Sequence, residues 1–152
     1  ACNGILFNHE GPKRGETFVT RKITKAVAEI YKGKRKLFYL GNLDAKRDWG
    51  NAKDYVEAMW LMLQNKIPKD YVIATGQDYS VRDFIKLAFQ YIGEKNWKKY
   101  IKIDPRFYRP AEVDVLRGDC RNATKDLGWK PKTDLKQMVE IMVSSDIAKY
   151  TK

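Results

Sequence analysis

The chain has 152 residues, 43% apolar and 12% aromatic, enough for a buried core and within the size of one domain or one and a fraction. Lys and Arg number 30 against 19 Asp and Glu, a formal net charge of +11. A surface of that kind attracts polyanions without naming one, and clusters such as Lys32-Gly33-Lys34-Arg35-Lys36 and Lys98-Lys99 read as solvated helix ends and turns. No stretch approaches the ~18 consecutive apolar residues of a membrane span, and the first residues carry no basic region of a secretory leader. Cys2 and Cys120 stand far apart and His9 is the only histidine, so neither a disulfide framework nor a Cys/His metal centre is expected. These features predict a soluble, cytoplasmic protein with no membrane partner.

The chain opens on Gly4-Ile5-Leu6-Phe7, a short apolar run that reads as a buried strand, followed at once by a breaker-rich loop from Asn8 to Gly15. A buried strand needs neighbours on both sides, so the expectation is a chain cut from a longer one. Thr17 to Tyr31 reads as a helix capped by Thr20, with Ile23, Ala26, Val27 and Ile30 as its apolar stripe. Leu37 to Leu40 is a strand closed by Gly41-Asn42, and Asp44 to Gly50 a polar loop. A second helix over about Ala52 to Asn65 turns Tyr55, Val56, Met59, Trp60 and Leu63 one way. Tyr71 to Ala74 is a strand. Ser80, with Asp83 three residues on, caps a third helix that buries Val81, Phe84, Ile85, Ala88, Phe89 and Ile92. Ile101 to Ile103 alternates like a strand, Arg106 to Pro110 reads as extended, a small helix spans about Asn122 to Leu127, and a last helix runs from about Asp134 to Tyr150. Alternating strands and helices predict an α/β fold. Trp49 and Trp60 are expected in the core.

Several blocks, in order, carry a resemblance. They are Asn3 to Glu10 with Pro12 and Arg14 to Thr24, Leu40 to Gly50, Ala52 to Trp60, Tyr71 to Gly76, Ser80-Val81-Arg82, Tyr108-Arg109-Pro110, Glu112-Val113-Asp114 and Gly118-Asp119-Cys120. The set resembles the carboxyl-terminal part of GDP-mannose 4,6-dehydratases, members of the extended short-chain dehydrogenase/reductases. The resemblance implies the last part of a Rossmann sheet (residues 1–16) and a smaller α/β domain that binds a GDP-sugar (residues 17–152), with Rossmann elements interleaved. It implies an enzyme that converts GDP-mannose to GDP-4-keto-6-deoxymannose with NADP, on the route to GDP-fucose, in a dimer or tetramer.

That chemistry needs a glycine-rich strand-to-helix turn for the dinucleotide and a Tyr-x-x-x-Lys pair. The ten glycines never cluster so. The only such pair, Tyr91 and Lys95, spans Gly93 at a helix end, where a cap and a surface lysine explain it. No catalytic residue is therefore assigned, and this segment alone is expected to be inactive.

What the resemblance does assign is binding. His9 and Arg14 correspond to cofactor positions, and Asn8 to a residue beside the nicotinamide that contacts the sugar nucleotide. Val19, Lys22, Gly41 and Asn42 line the guanosine diphosphate, Arg47 and Arg109 clamp its phosphates, and Glu112 meets its hydroxyls. Without the resemblance, Asn8 is equally a turn residue, His9 an exposed loop side chain, Arg47 and Arg109 surface ion pairs, and Glu112 an acid that orients Arg109. Two other functions fit the residues less closely. One is a different nucleotide-sugar epimerase, reductase or decarboxylase of the same superfamily. The other is a basic nucleic-acid-binding module, which lacks an RNP-like strand, a KH loop or a helix-turn-helix.

Overall fold

The computed structural model describes residues 1–108, 111 and 113–150. Nine strands of two or three residues lie between five α-helices among them: β1 (Gly4–Leu6), β2 (Asn8–Glu10), α1 (Val19–Tyr31), β3 (Phe38–Leu40), β4 (Lys46–Arg47), β5 (Trp49–Asn51), α2 (Ala52–Gln64), β6 (Tyr71–Ile73), β7 (Tyr79–Ser80), α3 (Val81–Tyr91), β8 (Ile101–Ile103), β9 (Val115–Leu116), α4 (Arg121–Leu127) and α5 (Leu135–Lys149). Parallel pairs join β1 to β6, β2 to β5 and β3 to β8, each bridged by a helix-containing crossover, as parallel neighbours require. A fourth, three-stranded sheet centres on β4, antiparallel to β7 and parallel to β9. The mixed α/β class read from the sequence holds.

Two apolar clusters organise these pieces. In the larger, Ile23 and Val27 of α1, Phe84, Ile85 and Phe89 of α3, and Met138, Val139 and Met142 of α5 close over Phe38 and Leu40 of β3 and over Trp49. In the smaller, Tyr55, Ala58 and Met62 of α2 pack with Tyr71 and Ile73 of β6 and with Ala123 and Trp129. Ser80 and Asp83 form the expected capping box on α3, and Asp134 with Gln137 forms another on α5.

The differences from the sequence reading have identifiable physical causes. The helix predicted from Thr17 begins at Val19 with Phe18 before it, and Thr20 does not cap it. The Thr20 hydroxyl instead donates to the Glu10 carboxylate at 2.5 Å. Asn8 to Glu10 and most of Asp44 to Gly50, expected as loops, form β2, β4 and β5, because each finds a partner far along the chain and needs no apolar alternation of its own. Arg106 and Phe107, expected as extended, belong to a single 3-10 turn over Pro105–Phe107, with Pro105 leading and the Asp104 side chain accepting from the Arg106 amide. On α2 the apolar face divides. Tyr55 turns inward, where its ring packs edge-on to Trp129, while Val56, Met59, Trp60 and Leu63 stay exposed, Trp60 at 60%. The helix has two apolar faces, and β6 with α4 covers only one of them. Trp49 is buried as expected and Trp60 is not.

Buried polar residues tie the elements together. The Arg21 guanidinium of α1 pairs with Asp146 of α5, both almost wholly buried, and the Thr24 hydroxyl donates to the same carboxylate at 2.8 Å. Asp54 accepts from the amides of Lys132 and Thr133 at 3.0 and 2.9 Å, while its carbonyl accepts from the Trp129 indole at 2.8 Å. Lys149 also reaches Asp146, at 3.3 Å but from an exposed position, so removing Arg21 leaves the buried carboxylate without its buried partner. Arg21→Ala is therefore expected to lower unfolding stability by about 3–5 kcal/mol in urea titration, and Arg21→Met/Asp146→Leu to cost less than Arg21→Ala alone. A double variant as damaged as the single one would contradict this.

Candidate functional site

The residues singled out in the sequence converge on one side of the fold. A cleft of about 370 Å³ is lined by Val19 and Lys22 from α1, Gly41 and Asn42 after β3, Arg47 of β4, and Arg106, Phe107 and Tyr108. A second cleft of about 470 Å³ adjoins it through Thr17, Val19 and Arg47, and adds Asn8, Glu10, Arg14, Phe18, Val113 and Leu116. Arg47 thus stands where the two meet. His9 and Arg14 line a third cleft of about 580 Å³, with Gly11, Pro12 and Ala52 among its walls. Eight of the ten residues assigned in the sequence fall in these clefts. Arg109 and Glu112 lie outside the described residues.

The backbone explains why the first cleft is open at this place. Gly41 ends β3 so close to the 105–107 turn that a Cβ there would stand 2.5 Å from the Phe107 carbonyl oxygen. The absence of a side chain brings the turn, with its Phe107 ring, against the strand end. The Lys22 ammonium sits 5.0 Å from the centroid of that ring, a cation–π distance. The loop after β3 is held by the Asn42 side chain, which accepts from the Asp44 amide at 2.9 Å, and by Arg82, whose Nε and Nη2 donate to Asp44 Oδ1 at 2.9 and 2.8 Å.

The cations at the walls are oriented by hydrogen bonds, ion pairs and a ring contact. Arg47 Nη1 donates to the carbonyls of Lys46 and Val113 at 2.7 and 2.6 Å, tying the guanidinium to the segment that enters β9. Arg106 makes a two-pronged contact with Asp104, Nε to Oδ1 at 3.1 Å and Nη2 to Oδ2 at 2.7 Å, and this partner holds the Asp104 carboxyl below its ordinary range. Arg14 pairs with Glu10 at 3.2 Å, and its guanidinium lies 3.6 Å from the Phe18 ring centroid. Nδ1 of His9 meets the Phe7 carbonyl at 2.9 Å, which assigns the proton to that nitrogen.

Tyr39, Arg106, Phe107 and Tyr108 line the first cleft and were missed in the sequence. The signal available was the proximity of Arg106, Phe107 and Tyr108 to Arg109 in the chain, which an extended reading of the segment did not exploit. The lone Tyr91 and Lys95 pair is exposed at the end of α3, as the surface reading required. Among the described residues no group of three or more His, Cys, Asp or Glu could hold a metal ion. No described helix is long and apolar enough to cross a membrane.

Clefts walled by Lys22, Arg47 and Arg106 and by exposed aromatic rings suit a ligand that is both anionic and flat. The sequence profile of the GDP-mannose 4,6 dehydratase family matches residues 1–142. The chain belongs to that family. GDP-mannose 4,6 dehydratase 2 of Arabidopsis thaliana is 56% identical over 147 residues, covering 97% of this chain and 39% of that protein. The human GDP-mannose 4,6 dehydratase is 52% identical over 163 residues, covering 97% of this chain and 44% of that protein. The chain thus spans roughly two-fifths of the length of these curated relatives of the dehydratase family. Among solved structures, RMD from Pseudomonas aeruginosa complexed with NADPH shares the fold at a TM-score of 0.88 and 24% identity, over 97% of this chain and 48% of that one.

Glu10 offers a check on the packing beside Arg14. Burial pushes its carboxyl above the ordinary range, against the lowering effect of the Thr20 hydroxyl and of Arg14. The folded state then holds more protons than the unfolded one just above the ordinary carboxyl pKa, so this group's contribution to stability declines as pH rises through the raised value. Glu10→Gln removes that dependence. Its Tm relative to the wild type is expected to be higher at about pH 7 than at about pH 4, and a pH-independent difference in thermal unfolding would refute the assignment.

Proposed function

We propose that this chain forms the nucleotide-sugar-binding wall of a GDP-mannose 4,6-dehydratase, a lyase that converts GDP-mannose to GDP-4-keto-6-deoxymannose and water. The observation that carries the reading is the cleft where Lys22, Arg47 and Arg106 surround an aromatic turn, in a chain of this family. Val19, Lys22, Gly41 and Asn42 receive the guanosine, Phe107 offers a stacking surface, and Arg47 meets the diphosphate with Arg109. Asn8 and Glu112 take the sugar end. Residues 1–16 belong to the cofactor domain and 17–152 to the substrate domain. The route served is the one to GDP-fucose, in a cytoplasmic homo-oligomer.

NADP is the expected cofactor, and the residues present fit part of it. The cleft of His9 and Arg14 combines an apolar wall of Pro12, Ala52 and Ile141 with the cations Lys13, Arg14 and Lys53, suited to a flat ring and to phosphate. When bound there, NADP would supply the hydride chemistry for the oxidation and later reduction of the sugar. His9, with Nδ1 engaged by Phe7, contributes Nε2 and its backbone, and Arg14 contributes charge beside the carboxylate of Glu10. The residues assigned bind and orient.

Thermal shift of the full chain with GDP-mannose, GDP, UDP-glucose and an oligonucleotide, at low and high salt, tests the reading. Selective stabilisation by the two GDP compounds is expected. Selectivity for UDP-glucose would favour another nucleotide-sugar enzyme, and a salt-sensitive response to any polyanion would favour nucleic acid. Arg109→Ala should raise the GDP-mannose Kd about tenfold, the loss of one charged hydrogen-bonding partner. An unchanged Kd would remove Arg109 from the site.

A further inference from the structure

Asp48, between Arg47 and Trp49, is completely buried, and the donors its carboxylate meets among the described residues are neutral. Its two oxygens collect four donors. Oδ1 accepts from the Thr75 amide at 2.8 Å and the Thr75 hydroxyl at 2.7 Å, and Oδ2 from the amides of Gly76 at 3.0 Å and Gly118 at 3.2 Å. The Asp48 amide in turn donates to the Leu116 carbonyl at 2.8 Å. One residue therefore joins the end of β6 to the end of β9.

The connection matters for the neighbour in sequence. Arg47 pairs with Leu116 across the β4–β9 ladder, and its Nη1 donates to the Val113 carbonyl at the other end of that segment. Asp48 thus fastens one end of 113–118, and the Arg47 guanidinium rests on the other. The fastening needs close approach: a Cβ on Gly118 would stand 2.3 Å from the Ala74 Cβ and 3.0 Å from the Phe7 ring. A neutral acid analogue cannot reproduce it, because replacing one oxygen by an amide nitrogen turns a donor toward backbone N–H groups. β9 has only two residues, and a strand so short depends on anchors outside its ladder.

We infer that Asp48 is a positioning residue for the diphosphate, holding the 113–118 segment so that Arg47 stands where the two clefts meet. The inference rests on the nucleotide reading given above. It predicts a dependence on Arg47 that a purely stabilising acid would not show. With GDP as probe and the full chain as protein, the Kd is measured by calorimetry for the wild type, Arg47→Ala, Asp48→Asn and the double variant. Asp48→Asn should raise the Kd about tenfold in the wild type and less than about twofold once Arg47 is alanine, since interacting residues are non-additive. Thr75→Val, which removes the hydroxyl that donates to Asp48 and accepts from the Gln77 amide but leaves the three amide donors to Asp48 in place, should show the same loss of effect with a smaller first step, and it serves if Asp48→Asn does not fold. Equal factors in both backgrounds would overturn the positioning role while leaving the nucleotide reading intact. An unchanged Kd for Arg47→Ala alone would overturn both.

Discussion

Strands of two or three residues cannot hold themselves together, and in this chain buried acids do much of the holding. A ladder that short offers too few hydrogen bonds to fix register without support from outside it. Asp48 gathers amides from two distant segments, Asp54 fastens the approach to α5 beneath α2, and Asp146 joins α5 to α1 through Arg21. An ionised carboxylate is well suited to this work, because it accepts from several N–H groups at once and burial strengthens each contact. The same burial makes every such acid costly to leave unpaired, so the arrangement is firm only while it is complete.

The ligand-facing surface inherits its geometry from that framework. Arg47, Lys22 and Arg106 come from a strand, a helix and a 3-10 turn, and none lies near another in sequence. Each is steered by a neutral or acidic partner: backbone carbonyls for Arg47, an aromatic ring for Lys22, a carboxylate for Arg106. Cations held in this way lose little freedom when an anion arrives, and preorganisation of that sort favours binding more than added charge does.

The helices were legible in the sequence because their signals are local. The Ser80 and Asp83 box and the stripe Val81, Phe84, Ile85, Ala88 and Phe89 need only a few turns of chain to be recognised. β2, β4, β5, β7 and β9 were not, since pairing at such length is decided by partners tens of residues away. Thr20 illustrates the same limit: as a hydroxyl near a helix start it fits a cap, but Glu10 across the fold claims it. For the cleft, the ordered blocks of family resemblance located Asn8, Val19, Lys22, Gly41, Asn42 and Arg47, whereas Tyr39 and Phe107 depended on how the 105–107 turn folds back onto Gly41.

The uncovered side of α2 bears on how this polypeptide behaves in solution. Val56, Met59, Trp60 and Leu63 form a greasy ridge that copies of the molecule would share on contact, while a net charge of +11 pushes the copies apart. The two influences respond oppositely to electrolyte. Dissolved ions shorten the reach of the repulsion to about 8 Å at physiological strength and leave the ridge as adhesive as before. Dilute buffer would therefore keep the polypeptide dispersed, and a brine would favour clumping through the Trp60 side.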